Sequence, residues 1–155
     1  MERTREMHLA ERQRRMALLD RLMEENDLAA IAVHGNGAMA YQADMKFMTD
    51  LVTPCGHIYA IKRRGEQPVA IYGRPDSAFH ARRSTFLDPE NVIIAPDMVG
   101  EMCRRINELP GGRPRVGVLS LEECPKFLTD ALYATKAEIV DVTDAFVVAK
   151  APKAP

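Results

Sequence analysis

The chain is predicted to fold as an α/β domain of three layers, with a mixed, mainly parallel sheet that includes one β-hairpin. Three observations predict this class. Stretches of helical periodicity alternate with short apolar runs of strand length along most of the chain. Those runs are continuously apolar, the pattern of strands covered on both faces. Two of them flank a charged, glycine-containing turn, which makes a hairpin.

The first helix is read from Leu9, Met16, Leu19 and Met23 at helical spacing, widened by Leu18 and Leu22, with mostly Arg, Glu and Gln between. It should end near Asn26-Asp27. Leu28 to Val33 is then a buried strand, and Gly35 and Gly37 break the pattern. Lys46-Phe47-Met48-Thr49-Asp50-Leu51 reads as a second strand, and Thr53-Pro54-Cys55-Gly56 as a bend. His57 to Ile61 and Val69 to Tyr72 are the arms of the hairpin.

Pro75 to Arg83 is predicted helical, with Pro75 suited to a first turn. Val92 to Ile94 is a buried strand, and Met98 to Leu109 a helix stopped by Pro110-Gly111-Gly112. After a strand at Val116 to Leu119, Ser120 and Glu123 have the spacing of a capping box for a helix reaching Tyr133, which Pro125 can restart. Glu138 to Val142 is the last strand. Ala149 to Pro155 is small, basic and proline-rich, as expected of a linker or tail.

Composition narrows the function. The 155 residues suffice for one core, and 46% hydrophobic with 28% charged residues is the balance of a globular domain. Twenty-one basic residues against 22 acidic ones leave a net charge of -1, which gives no electrostatic footprint for nucleic acid. No run approaches membrane-spanning length. Cys55, Cys103 and Cys124 form no CxxC pair, so a reduced, cytoplasmic setting is expected and neither a zinc nor a redox pair is indicated.

Several residues could carry chemistry. Gly35-Asn36-Gly37-Ala38-Met39-Ala40 spells G-x-G-x-x-A after a strand, the pattern that lets backbone approach a pyrophosphate. Too few residues follow for a long crossover helix, so the plain reading is a turn out of a strand. A nucleotide or small-ligand loop on Gly35 and Gly37 stays as the alternative. The four histidines show no metal-ligand spacing. His34 ends a buried strand as a hydrogen-bonded structural residue, whereas His57 stands beside a bend, where polar groups line sites. Cys55 and His57, two apart, would share a strand face, yet no third group is in place to orient a nucleophilic pair. Arg74 pairs most simply with Asp76.

In order, these pieces resemble the N-terminal domain of the creatinase, prolidase and aminopeptidase P family. The family opens with an Arg-rich helix, then a D-x-D-A-hydrophobic strand, then R-Y-L-T-G-F. The counterparts are Arg12 to Glu25, Asp27-Leu28-Ala29-Ala30-Ile31, and Lys46 to Leu51, with Asp50 where the family has glycine. Pro68 to Arg74 resembles the second hairpin strand and its turn. Val140 to Asp144 leading to Ala149-Lys150-Ala151-Pro152 resembles the family's exit.

The resemblance implies a ribonuclease H-like N-terminal domain over residues 1–148 and a linker over 149–155 to a C-terminal catalytic domain. It implies that this part is noncatalytic, holds no cofactor, supports a homodimer and shapes access to substrate. The parent would be a metal-dependent Xaa-Pro aminopeptidase or dipeptidase, or a related amidinohydrolase, with two divalent ions (Mn, Co or Zn) in the catalytic domain. Asp50, Thr53, Cys55 and His57 would face the cleft. Val52 to His57 contains no Arg, so a creatinase-like anion contact is not implied there.

Overall fold

The computed structural model describes residues 2–37, 43–53 and 56–151. Its elements run α1 (Glu2–Glu25), β1 (Ala30–Asn36), α2 (Ala43–Thr49), β2 (His57–Arg63), β3 (Val69–Tyr72), α3 (Pro75–Ser84), β4 (Val92–Ile94), α4 (Met98–Asn107), β5 (Arg115–Val118), α5 (Lys126–Tyr133), β6 (Glu138–Asp141) and α6 (Thr143–Lys150). The strands form one sheet in the order β4-β3-β2-β1-β5-β6. Only β2 runs against the rest: it pairs antiparallel with β1 and β3, and the other pairs are parallel.

Alternation along the strands makes the three layers. Ile31 and Val33 of β1 pack into a core with Leu19, Leu22 and Met23 of α1, Met45 and Met48 of α2, and Phe146 of α6. Ala30 and Ala32 face the other way, toward Met102 and Ile106 of α4 and Leu128 and Leu132 of α5. The small alanines on that side let the helices lie close to the sheet.

Among the described residues buried with the apolar core are the polar His34, Thr49 and Thr53 and one charged side chain, Lys62, at 0% exposure. Its ammonium donates to Asp20 Oδ1 at 2.6 Å, to the Glu66 carbonyl at 2.8 Å and to the Arg63 carbonyl at 3.1 Å, so all three of its protons have acceptors. Asp20 Oδ1 also accepts from the Gly65 amide at 3.0 Å, which fastens the hairpin turn to α1.

Three sequence expectations are corrected. Lys46 to Leu51 is not a strand, because α2 covers Ala43–Thr49. Met45 and Met48, with Thr49, fall on one helical face and are buried, and Arg15 donates from α1 to the carbonyls of Lys46 and Phe47 at the end of α2. Gly35 does not break β1. The ladder runs through it to Asn36, and a Cβ there would stand 2.9 Å from Ile58 Cγ2 and 3.4 Å from Met45 Cβ, so the missing side chain seats α2 on the sheet. Ser120 makes no capping bond. Its φ of 53° is left-handed, a 3-10 turn follows at Leu121–Glu123, and α5 begins only after Pro125.

Candidate functional site

The carboxyl end of β1 and the start of β2 bring together His34, His57 and Tyr59. Antiparallel register sets His34 opposite Tyr59 and Asn36 opposite His57. His34 Nε2 and His57 Nδ1 are 2.8 Å apart, so one ring nitrogen donates and the other accepts. The His34 ring stacks on His57 at 5.1 Å and on Tyr59 at 5.0 Å between centroids, and Phe127 of α5 meets His57 edge-on at 6.0 Å. His34 is therefore the hydrogen-bonded strand residue its sequence position indicated, and its partner is His57.

Burial sets the protonation of this cluster. It pushes His34 down to about 4, with the nearby His57 adding to the effect. It also raises Tyr59 to about 12, with Cys124 as a further cause. The Cys124 thiol rises to about 11, through burial and then Asp141 and Glu123, and it donates to the Ser120 carbonyl at 3.5 Å. A thiol so placed is protonated near neutral pH and a poor nucleophile.

The other expected site residues fall elsewhere. Asp50 follows α2 with φ 59°, and its carboxylate is 4.0 Å from Arg15 of α1, on the opposite face of the sheet from the His57–Phe127 contact. Its left-handed backbone gives a physical reason for glycine at this place in the family pattern. Thr49 anchors the same corner: its hydroxyl donates to the Met45 carbonyl and accepts from the Leu51 amide, and its carbonyl accepts from Thr85. Thr53 is buried. Cys55, and with it the Cys55–His57 pair, lies outside the described residues. Gly37 is a bend after β1. Arg74 pairs with Asp76 at 3.2 Å, as its spacing indicated, and Arg82 donates to the Val92 carbonyl.

One network has no signature in the sequence. Ser120 donates through Oγ to Asp44 Oδ2 at 2.8 Å, while its amide donates to Thr143 Oγ1 at 2.8 Å. Lys150 reaches Asp44 Oδ1 at 3.5 Å and lies 4.1 Å from the Phe146 ring centroid. Asp44, Ser120 and Lys150 are 30 or more positions apart, and the left-handed turn at Ser120 joins them; Ser-Leu-Glu-Glu reads as a cap in one dimension. Among the described residues, no group of three or more His, Cys, Asp or Glu side chains is placed to hold a metal ion. No described helix is long and apolar enough to cross a membrane.

This six-stranded arrangement, with one reversed strand and helices on both faces, is the fold of creatinase/prolidase N-terminal domains. The N-terminal domain of cytoplasmic peptidase PepQ from Mycobacterium tuberculosis H37Rv aligns with a TM-score of 0.67 at 13% identity, covering 88% of this chain and 98% of that one. Dipeptidase PepE from Mycobacterium ulcerans aligns at 0.65 and 14% identity over 91% of this chain and 37% of that one. Prolidase from Pyrococcus furiosus aligns at 0.62 and 10% identity over 84% of this chain. This chain spans 36% of that prolidase and 33% of the one from Pyrococcus horikoshii OT3. No protein-family model matches the sequence, and no curated protein does either.

Proposed function

We propose that the chain is the noncatalytic N-terminal domain of a Xaa-Pro peptidase of the prolidase and aminopeptidase P type. The observation that carries this reading is the likeness to a peptidase N-terminal domain over 98% of that domain. In this reading residues 1–148 are the accessory domain and 149–155, of which Ala149 and Lys150 still belong to α6, lead to the catalytic one. There, two divalent metals would activate water and polarise the scissile carbonyl. The domain would support a homodimer in the cytoplasm, the compartment named for the PepQ neighbour.

Substrate access falls to the segment bearing Asp50, Thr53, Cys55 and His57. Both of its flanks are fixed: Asp50 next to the Thr49–Thr85 bond and Arg15, His57 by its bond to His34. The alternative, a nucleotide module on Gly35 and Gly37, has less support, because packing of Met45 and Ile58 already accounts for Gly35.

The purified chain is expected to hydrolyse no Xaa-Pro dipeptide with Mn²⁺ or Co²⁺ present, and turnover would overturn the noncatalytic assignment. The reading frame beyond Pro155 is expected to encode two Asp, one His and two Glu ligands in that order; their absence would refute the peptidase parent. A monomer in sedimentation at high concentration would count against the dimer role. Saturable binding of NAD or ATP, lost on Gly37→Val, would favour the module instead.

A further inference from the structure

At the end of the sheet opposite His34, a cleft of about 470 Å³ opens between the start of β1, the hairpin turn and the α4–β5 connection. Four arginines line it: Arg63, Arg64, Arg113 and Arg115. Asp27 and Glu66 are the carboxylates on it. Four guanidinium groups against these two carboxylates and Glu138, which pairs with Arg115, leave one positive charge in excess in a protein whose net charge is -1.

The four arginines divide into two kinds. Arg64 and Arg115 are held in place. Arg64 donates to the carbonyls of Met23 and Leu28 at 3.2 and 2.9 Å. Arg115 donates to Glu138 at 3.1 Å and to the Asn26 carbonyl at 3.4 Å. They thereby cover carbonyls at and just beyond the carboxyl end of α1, which would otherwise repel an anion. Arg115 Nε is buried and has no acceptor among the described residues. Arg63 and Arg113 make no side-chain hydrogen bond or ion pair among the described residues, so both guanidinium forks remain open.

Neither free arginine is explained by the fold. A planar guanidinium takes phosphate or carboxylate oxygens two at a time, and two open forks beside one cleft suit two adjacent anionic groups. Leu28 and Leu109 lie behind the cleft and are themselves buried, so they form its packed floor. We propose that this cleft is a binding site for a small ligand of the diphosphate type, clamped by Arg63 and Arg113 against the fixed positive wall of Arg64 and Arg115. The site is independent of the peptidase reading and lies at the far end of the sheet from His57.

Calorimetric titration of the 155-residue chain with inorganic pyrophosphate tests it, run at about 0.15 M salt so that loose surface attraction is screened. Saturable one-to-one binding is expected, weakened about tenfold or more by Arg63→Ala with Arg113→Ala. The double variant should melt as the parent does, because neither side chain is bonded in the fold. Arg63→Lys with Arg113→Lys should bind between the two, since charge is kept and the fork is lost. Absence of saturable binding, or equal binding by the double alanine variant, would overturn the site. Citrate binding as tightly as pyrophosphate would overturn the diphosphate class, and an equal loss on Arg74→Ala, outside the cleft, would reduce the effect to surface charge.

Discussion

Removing the two partners of the Lys62–Asp20 pair one at a time should give unequal losses. Asp20→Ala leaves an ammonium at 0% exposure with only two carbonyl acceptors. Breaking a fully buried pair costs about 3–5 kcal/mol. Asp20 is 34% exposed, so water can take part of its place, and about 2–3 kcal/mol is the better figure. That range includes the bond from the Gly65 amide, worth about 1 kcal/mol. Lys62→Met puts an apolar chain of similar length in the same space. It leaves Asp20 with the Gly65 amide and solvent but takes a donor from the Glu66 and Arg63 carbonyls, so the loss should be about 1 kcal/mol, smaller than for Asp20→Ala. Urea unfolding followed by circular dichroism measures both, with an unchanged m-value as the check that the denatured state is comparable. If Lys62→Met proves the more destabilising, the account of Lys62 as a buried charge dependent on Asp20 is wrong.

Two further outcomes follow from single residues. Burial lowers the His34 pKa to about 4 from the ordinary imidazole value of 6.5, so between those values the unfolded chain binds more protons. Stability should therefore be complete above about pH 6.5 and fall by about 2–3 kcal/mol as the pH drops toward 4. His34→Gln should flatten that slope, and an unchanged pH profile would remove His34 as its source. At Asp50, φ 59° disfavours any side chain, and the Arg15 contact at 4.0 Å is long. Asp50→Gly should raise the melting temperature by about 2–4 °C while Asp50→Val lowers it; a lower value for the glycine variant would refute backbone strain there.

The layered sheet and the hairpin were legible in the sequence because their signals are local. Val69 to Tyr72, Val92 to Ile94 and Val116 to Leu119 are continuous apolar runs, and Gly65 marks a turn taken at φ 76°. Local sequence does not determine the structure where tertiary contacts decide. The seven residues of α2 are too few for periodicity to separate helix from strand, and α2 is completed by Arg15, some thirty positions away. The glycines around Asn36 suggested a break, yet Gly35 is a packing residue within a continuous strand. His57 stands out in the sequence by its place beside a bend. Its contacts with His34, Tyr59 and Phe127 depend on register and on where α5 lies, neither of which one strand's sequence contains.

The sheet order places β4 and β6 outermost, and both are poor templates for another strand. β4 has three residues, its Val92 carbonyl is taken by Arg82, and Pro96 follows soon after. β6 has four, with Glu138 at one end and Asp141 at the other. Short, charged or covered margins resist edge-to-edge joining of sheets. Two copies of this domain would therefore meet through side-chain surfaces. Aggregation by strand addition is disfavoured at both margins of the sheet.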